Sequence, residues 1–210
     1  MMSYQIIPVT PFAQNCSLIW CDKTRQAALI DPGGDADKLI AAVKNQNVEL
    51  TYILLTHGHL DHVGVAKVLA QHYNVPIWGP HLADKFWFDN LQQQCQMFGF
   101  EPVATFIPDK WLSQGEKVTI GLVELDVRVC AGHTPGHVVF IDHQQHLAWV
   151  GDVLFHRSIG RTDFPKGSFE DLIQSIRKEL LVLDDDYLFI PGHGPTSTIG
   201  DERAHNPFIQ

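Results

Sequence analysis

With 210 residues and 45% hydrophobic side chains, the chain can bury one substantial core, or two small halves that share one. Its net charge of -9, with no cluster of Lys or Arg, argues against a nucleic-acid surface, which needs a basic face to displace counterions. No apolar run approaches the ~20 residues that cross a bilayer, and Met1–Pro8 has neither the basic start nor the long apolar stretch of a signal peptide. A cytoplasmic protein with no membrane partner is expected. Cys16, Cys21, Cys95 and Cys130 form no C-x-x-C pair and read as reduced, mostly buried thiols.

Short apolar runs alternate with helical patterns along the chain. Strands are expected at Gln5–Val9, Ser17–Cys21 and Ala27–Ile30. Asp35 can cap a helix whose inner face is Leu39, Ile40 and Val43. Tyr52–Leu55 reads as a buried strand, and Val65, Val68, Leu69 and His72 follow the helical period after it. Val75–Trp78 is the next strand. Leu82–Phe100 reads as helical and is rich in Gln and aromatics. Core packing is the ordinary role for its Phe86-Trp87-Phe88 run with Met97, Phe98 and Phe100; covering a site or meeting another subunit is the alternative.

Further strands are expected at Lys117–Ile120, Val123–Cys130, Val138–Ile141, His146–Val150 and Tyr187–Ile190. Val123, Leu125, Val127 and Val129 alternate with Glu124, Asp126 and Arg128, the period of a half-exposed strand, and Gly121 marks a hairpin turn or bulge before it. Ser168 opens a helix with Phe169, Leu172, Ile173, Ile176, Leu180 and Leu181 on one stripe and Asp171 in its first turn. Strands interleaved with helices give an α/β layered domain.

The densest chemistry lies in Thr56-His57-Gly58-His59-Leu60-Asp61-His62. Three imidazoles and a carboxylate so close together are costly to hold unless a cation sits between them. Three more ligand-type residues follow predicted strands, each preceded by glycine: His133, Asp152 and His193. His57, His59, Asp61, His62, His133, Asp152 and His193 are too many for one tetrahedral zinc, which takes three or four protein ligands. Two metals sharing a carboxylate use them all: His57, His59 and His133 on the first, Asp61, His62 and His193 on the second, with Asp152 as the bridge. Zinc is the expected metal, with iron or manganese equally suited to imidazole and carboxylate ligands. His72, His81, His143, His146, His156 and His205 read as ordinary surface or satisfied histidines.

These blocks resemble the metallo-β-lactamase fold: an H-x-H-x-D-H signature, then Gly-His, Gly-Asp and Gly-His, each after a strand. The resemblance covers nearly the whole chain. It implies an αββα four-layer sandwich with metals at one edge. With aspartate rather than cysteine at 152, the chain resembles the hydrolase branch. Asp31-Pro32-Gly33-Gly34, His133-Thr134-Pro135-Gly136-His137, Gly151-Asp152-Val153-Leu154-Phe155 and Gly160-Arg161 are similar to the glyoxalase II group, and matches from Pro8-Val9-Thr10 to His205-Asn206-Pro207-Phe208 point to its short bacterial form. By that resemblance residues 1–210 form a single metallo-β-lactamase-like domain, without the C-terminal helical domain that helps larger glyoxalases II bind glutathione. Gly194-Pro195 stand where the family has a Glu-Tyr pair, while Arg161 matches its carboxylate anchor.

The expected reaction is hydrolysis of a small-molecule thioester, S-acylglutathione such as S-lactoylglutathione, by a hydroxide bridging the metals, since metal binding brings the pKa of water from 15.7 to about 7. Asp61 would also orient that hydroxide. Arg161 and Lys166 are candidates for a substrate carboxylate. Asp31 and His137 are candidates behind the ligands, His137 also as a proton donor; Asp31 reads equally as a turn carboxylate. The competing activities are a mono-iron persulfide dioxygenase on His57, His133 and Asp152, or hydrolysis of a thioester or ester other than glutathione's. A monomer or small homo-oligomer is expected.

Overall fold

A computed structural model of the chain describes all of residues 1–210. The first half builds one sheet: β1 (Met2–Val9), β2 (Gln14–Cys21), β3 (Gln26–Ile30), β4 (Glu49–Leu54) and β5 (Ile77–Trp78), hydrogen-bonded in that order. The β1–β2–β3 ladder is antiparallel, and β4 and β5 then join in parallel. Parallel neighbours need a crossover, which α1 (Ala36–Gln46) supplies from β3 to β4 and α2 (Leu60–Val63) with α3 (Ala66–Tyr73) supply from β4 to β5. The helices α4 (Lys85–Asp89) and α5 (Leu91–Phe98) follow.

The second half builds another sheet from β6 (Lys117–Ile120), β7 (Val123–Val129), β8 (Val138–Asp142) and β9 (Leu147–Gly151). A small hairpin of β10 (Leu154–Phe155) and β11 (Ser158–Ile159), then α6 (Phe169–Ser175), lead to β12 (Leu188–Pro191), β13 (Ser197–Thr198) and the last helix, α7 (Ile199–His205). The order is β13-β12-β9-β8-β7-β6, with β12 parallel to β9.

The period of two sends the central strands into two different cores. On β2, Cys16, Leu18 and Trp20 pack with Leu39 and Val43 of α1 and Leu69 of α3, while Ile19 and Cys21 face the other sheet. On β8, Val138 and Phe140 meet the first sheet, and Val139 and Ile141 pack on Leu172 and Ile176. Helices outside, two sheets inside: this is the expected αββα four-layer sandwich. Both faces of the central strands are covered, so β2 is buried at every residue but Asn15 and β8 is buried throughout.

The expected strands all occur, with shifted ends. Val75–Trp78 shrinks to Ile77–Trp78, whereas Gln5–Val9 extends back to Met2. Leu82–Phe100 is not one helix: a 3-10 turn at Leu82–Asp84 and the separate α4 and α5 replace it, the break falling at Asn90. Asp35 precedes α1 but does not cap it; its carboxylate accepts from the Thr10 amide instead. Ser168 does cap α6, accepting from the Asp171 amide. The stripe beyond it continues as a π turn at Ile176–Leu180, where Glu179 accepts from Arg128 and Gln114. Asp126 corrects the half-exposed reading of β7, for it is buried under Arg128 and His143. No helix is long and apolar enough to cross a membrane.

Candidate metal centre

Strand ends place the seven ligand-type residues. His57 follows β4, His133 follows β7, Asp152 follows β9 and His193 follows β12. His59, Asp61 and His62 lie on the turn into α2 and on its first residues. The carboxyl ends of the parallel strands thus open on one crevice between the sheets.

Hydrogen bonds behind the imidazoles fix which nitrogen faces inward. Thr56 donates from its amide and its hydroxyl to Asp31, at 2.7 and 2.6 Å. The hydroxyl oxygen then accepts from His57 Nδ1, 3.0 Å away, which leaves His57 Nε2 bare. His62 Nδ1 lies 2.9 Å from Asp31 Oδ2. His133 Nδ1 donates to the Arg161 carbonyl at 2.7 Å, and His193 Nδ1 to the Phe12 carbonyl at 3.2 Å. In all four, Nε2 is left for the site. His59 is turned round: its Nδ1 lies 3.1 Å from His57 Nε2 and 3.0 Å from His133 Nε2.

Those three nitrogens test the fit of a cation. His59 Nδ1 can carry at most one proton, so at least one short nitrogen–nitrogen contact sets lone pair against lone pair. A positive ion between them removes the conflict. Asp61, His62 and His193 form a second converging trio. Asp152 reaches both, with Oδ2 at 3.6 Å from His133 Nε2 and 3.7 Å from His193 Nε2, and Oδ1 at 3.4 Å from His62 Nε2. His62 Nε2 and Asp152 Oδ1 are buried without a hydrogen-bond partner. Buried polar atoms without partners are uncommon, and here they face one another's ligand-type neighbours. The donor set therefore fits metal.

Electrostatics agree. Burial pushes the His57 and His59 imidazoles well below their usual range, and neighbouring histidines lower His57 further. Burial also disfavours charge on His62, but Asp152, Asp61 and Asp31 outweigh it and raise His62 well above that range. Burial would lift the Asp152 carboxyl; His62, His133 and His193 hold it far below the ordinary carboxylate range instead. Close approach explains two of the preceding glycines. A Cβ on Gly192 would lie 2.1 Å from Asp152 Oδ1, and one on Gly151 2.6 Å from Thr56 Oγ1.

Asp31 is no free turn carboxylate: it orients Thr56 and His62. His137 stacks on His57 at 4.7 Å, and its Nε2 accepts from the Asp152 amide at 3.1 Å. It therefore holds Asp152 in place, and that nitrogen is not available to protonate a leaving group. Lys166 is not among the residues that line the cavity; its ammonium lies 4.5 Å over the ring of Phe86, which does line it. Arg161 does line the cavity, but its Nε and Nη2 donate to Asp163 at 2.7 and 2.6 Å. The six ordinary histidines stay outside both trios. His156 lies beside Asp201 and Glu202, where Arg157 already satisfies both carboxylates at 2.8 and 3.0 Å.

Two supporting residues escape sequence reasoning. Buried Asp84 accepts from the Gly58 amide, the Thr134 hydroxyl and the Gly136 amide at 2.9, 2.9 and 2.5 Å, tying the His57–His62 turn to the His133 loop. Burial lifts its carboxyl to about 7 despite those hydrogen bonds. Gln94 accepts from the Leu60 amide and donates to the Gly58 and Trp87 carbonyls. Neither stands in a motif; a polar residue on the inner face of an aromatic-rich segment is the only signal either leaves.

A cavity of about 680 Å³ opens above the centre. Phe86, Trp87, Met97 and Phe98 form one wall of it, while Phe88 packs in the core.

Comparison with known proteins gives the same frame. The pattern of the metallo-beta-lactamase superfamily matches residues 9–193. The hydroxyacylglutathione hydrolase GloC of Haemophilus influenzae is 51% identical, over 99% of this chain and 98% of the relative. The probable metallo-hydrolase YqgX of Bacillus subtilis is 33% identical over 99% and 98%. Among solved structures, the BLEG-1 B3 metallo-beta-lactamase superposes with a TM-score of 0.90 at 34% identity, covering 99% of both chains. TTHA1623 in a di-iron-bound form gives 0.88 at 31% identity, covering 97% of this chain and 99% of that one. With its sheet order, its two converging trios and these matches, the chain belongs to the metallo-beta-lactamase superfamily.

Proposed function

We propose that the chain is a metal-dependent thioester hydrolase of the hydroxyacylglutathione hydrolase type, cleaving S-acylglutathione such as S-lactoylglutathione. The convergence of the two trios on Asp152 carries the reading, and the relation to a hydroxyacylglutathione hydrolase at 51% identity supports it. His57, His59 and His133 would hold one divalent cation, Asp61, His62 and His193 another, and Asp152 both. Zinc is our first choice; iron, the metal named for one structural neighbour, and manganese are the alternatives. Cations there supply charge that polarises a carbonyl and lowers the pKa of water towards neutrality.

The chain's own residues do the rest. Asp61 Oδ2, 3.1 Å from His193 Nε2, lines the cavity and can accept a hydrogen bond from the attacking water, fixing its direction. Arg161 is the one titratable side chain on the cavity wall outside the proposed ligands, and it does not give up its proton. No general acid is therefore placed to protonate an amide nitrogen. A thiolate, with a conjugate-acid pKa of about 8.5, departs without one. The site suits a thioester better than an amide.

The test is metal analysis and turnover on one preparation. Two metals per chain, with thiol release from S-lactoylglutathione and no oxygen consumed, are expected. One iron with oxygen uptake on glutathione persulfide would replace the hydrolase by a dioxygenase. Asp152→Ala is expected to lose both metal loading and turnover, at least about a hundredfold in rate. Full turnover with both metals retained would remove Asp152 from the bridging role.

A further inference from the structure

The cavity is poorly matched to the polar half of a glutathione thioester. Glutathione carries two carboxylates and an ammonium group. Among the lining residues Arg161 is the only Lys or Arg, and Asp163 occupies two of its N–H donors. Lys85, next to the wall residue Phe86, is held by Asp89, and Lys166 lies on the Phe86 ring. An aromatic row, by contrast, runs outward from the ligand-type residues. The His59 ring stands 5.1 Å from Phe164, Phe164 stands 6.2 Å from Phe98, and Phe98 stands 6.1 Å from Phe12. Phe100 supports Phe12 from the side at 5.4 Å. The outer end is bare: Phe12 is 46% exposed, Phe98 39% and Met97 72%. Apolar surface continuous with a reactive site marks a wall that its ligand covers.

We infer that this row is a track for an acyl chain, so that the site favours thioesters whose acyl group is apolar and longer than lactoyl. The carbonyl sits at the ligand-type residues, the chain lies along Phe164, Phe98 and Phe12, and the thiol half points outward. Hydrolysis forms a carbon–oxygen bond from water and breaks the carbon–sulfur bond; a carboxylate, a thiol and a proton result, and nothing is oxidised. The inference rests on the thioester reading above.

The experiment varies the acyl group at constant thiol. Acetyl-, butanoyl-, octanoyl- and S-lactoylglutathione are compared on the metal-loaded protein. kcat/KM is expected to rise by roughly threefold per added methylene until the row is covered. A flat or falling series, with S-lactoylglutathione turned over, overturns the inference and leaves the thioester reading standing. No thiol release from any member overturns both. Binding gives a readout independent of turnover: on metal-free protein, the thioether S-octylglutathione is expected to bind at least about tenfold more tightly than S-methylglutathione by calorimetry. Equal affinities count against the track. Phe98→Ser changes a half-exposed side chain and should lower the octanoyl-to-lactoyl ratio about fivefold; an unchanged ratio counts against the row.

Discussion

Asp163 is paired with Arg161, the one guanidinium on the cavity wall. Its carboxylate takes two N–H groups of Arg161, and the guanidinium also lies 4.1 Å over the Phe164 ring. A substrate carboxylate that wants the same fork must compete with it. Asp163→Ala is expected to lower KM for S-lactoylglutathione about two- to fivefold, the span of an exposed ion pair, with kcat within about twofold. Steady-state kinetics decide it. A raised KM would mean that Asp163 aims the guanidinium at substrate rather than masking it. Asp31 acts in the opposite sense, since its carboxylate prepares His57 through Thr56 and His62 directly. Both carboxylates follow a predicted or resembling block in the chain, yet only their surroundings separate one that pairs with Arg161 from one that supports imidazoles.

At the scale of elements, the cavity walls are held from behind. The last helix, α7, carries Glu202, which is fully buried and accepts from the Arg157 amide, the Ser197 hydroxyl and Asn206. Asn206 also donates to the Ser158 carbonyl at 3.0 Å. The hairpin β10–β11, whose Phe155, Ser158 and Ile159 line the cavity, is thereby fixed to the end of the chain. On the other side of the second sheet, Asp126 joins β7 to its neighbours. Burial pushes its carboxyl up, but Arg128, His143 and Lys117 together hold it below the ordinary range. A carboxyl depressed in the folded state gives stability that is present above its unfolded value of about 3.9 and is lost as the pH falls below that. Wild type is therefore expected to lose more stability between pH 5 and pH 3 than Asp126→Asn, by urea titration at stepped pH (roughly the window set by the carboxylate pKa). Parallel curves for the two proteins would show that the Asp126 contacts contribute nothing to acid sensitivity.

At the scale of the whole molecule, the centre belongs to neither sheet. The first contributes His57, His59, Asp61 and His62; the second contributes His133, Asp152 and His193. Cations bound between them would join the two halves, so a chelator should lower the melting temperature by about 5–10 °C while the far-ultraviolet circular dichroism at 25 °C is kept. An unchanged melting temperature after complete metal removal would argue that the sheets hold the site without help. The ligand-type residues were legible because their signals are local: four in a six-residue turn, the others next to glycine at the ends of apolar strands. Asp84, Gln94 and the pairing of Asp163 with Arg161 were not, because the first two act through partners distant in the chain and the third is a side-chain contact that spacing does not record. The break at Asn90, the short hairpin and α7 were missed for a related reason: their lengths and polar faces carry little periodicity. The sequence alone thus determined the layered architecture and the metal-type donors, since burial of alternating apolar residues and the cost of clustered imidazoles act at short range. Only the tertiary structure decided which nitrogen of each imidazole faces the centre, which cation is already paired and which aromatic rings line the cavity, because those depend on contacts that exist only once the two sheets are packed together.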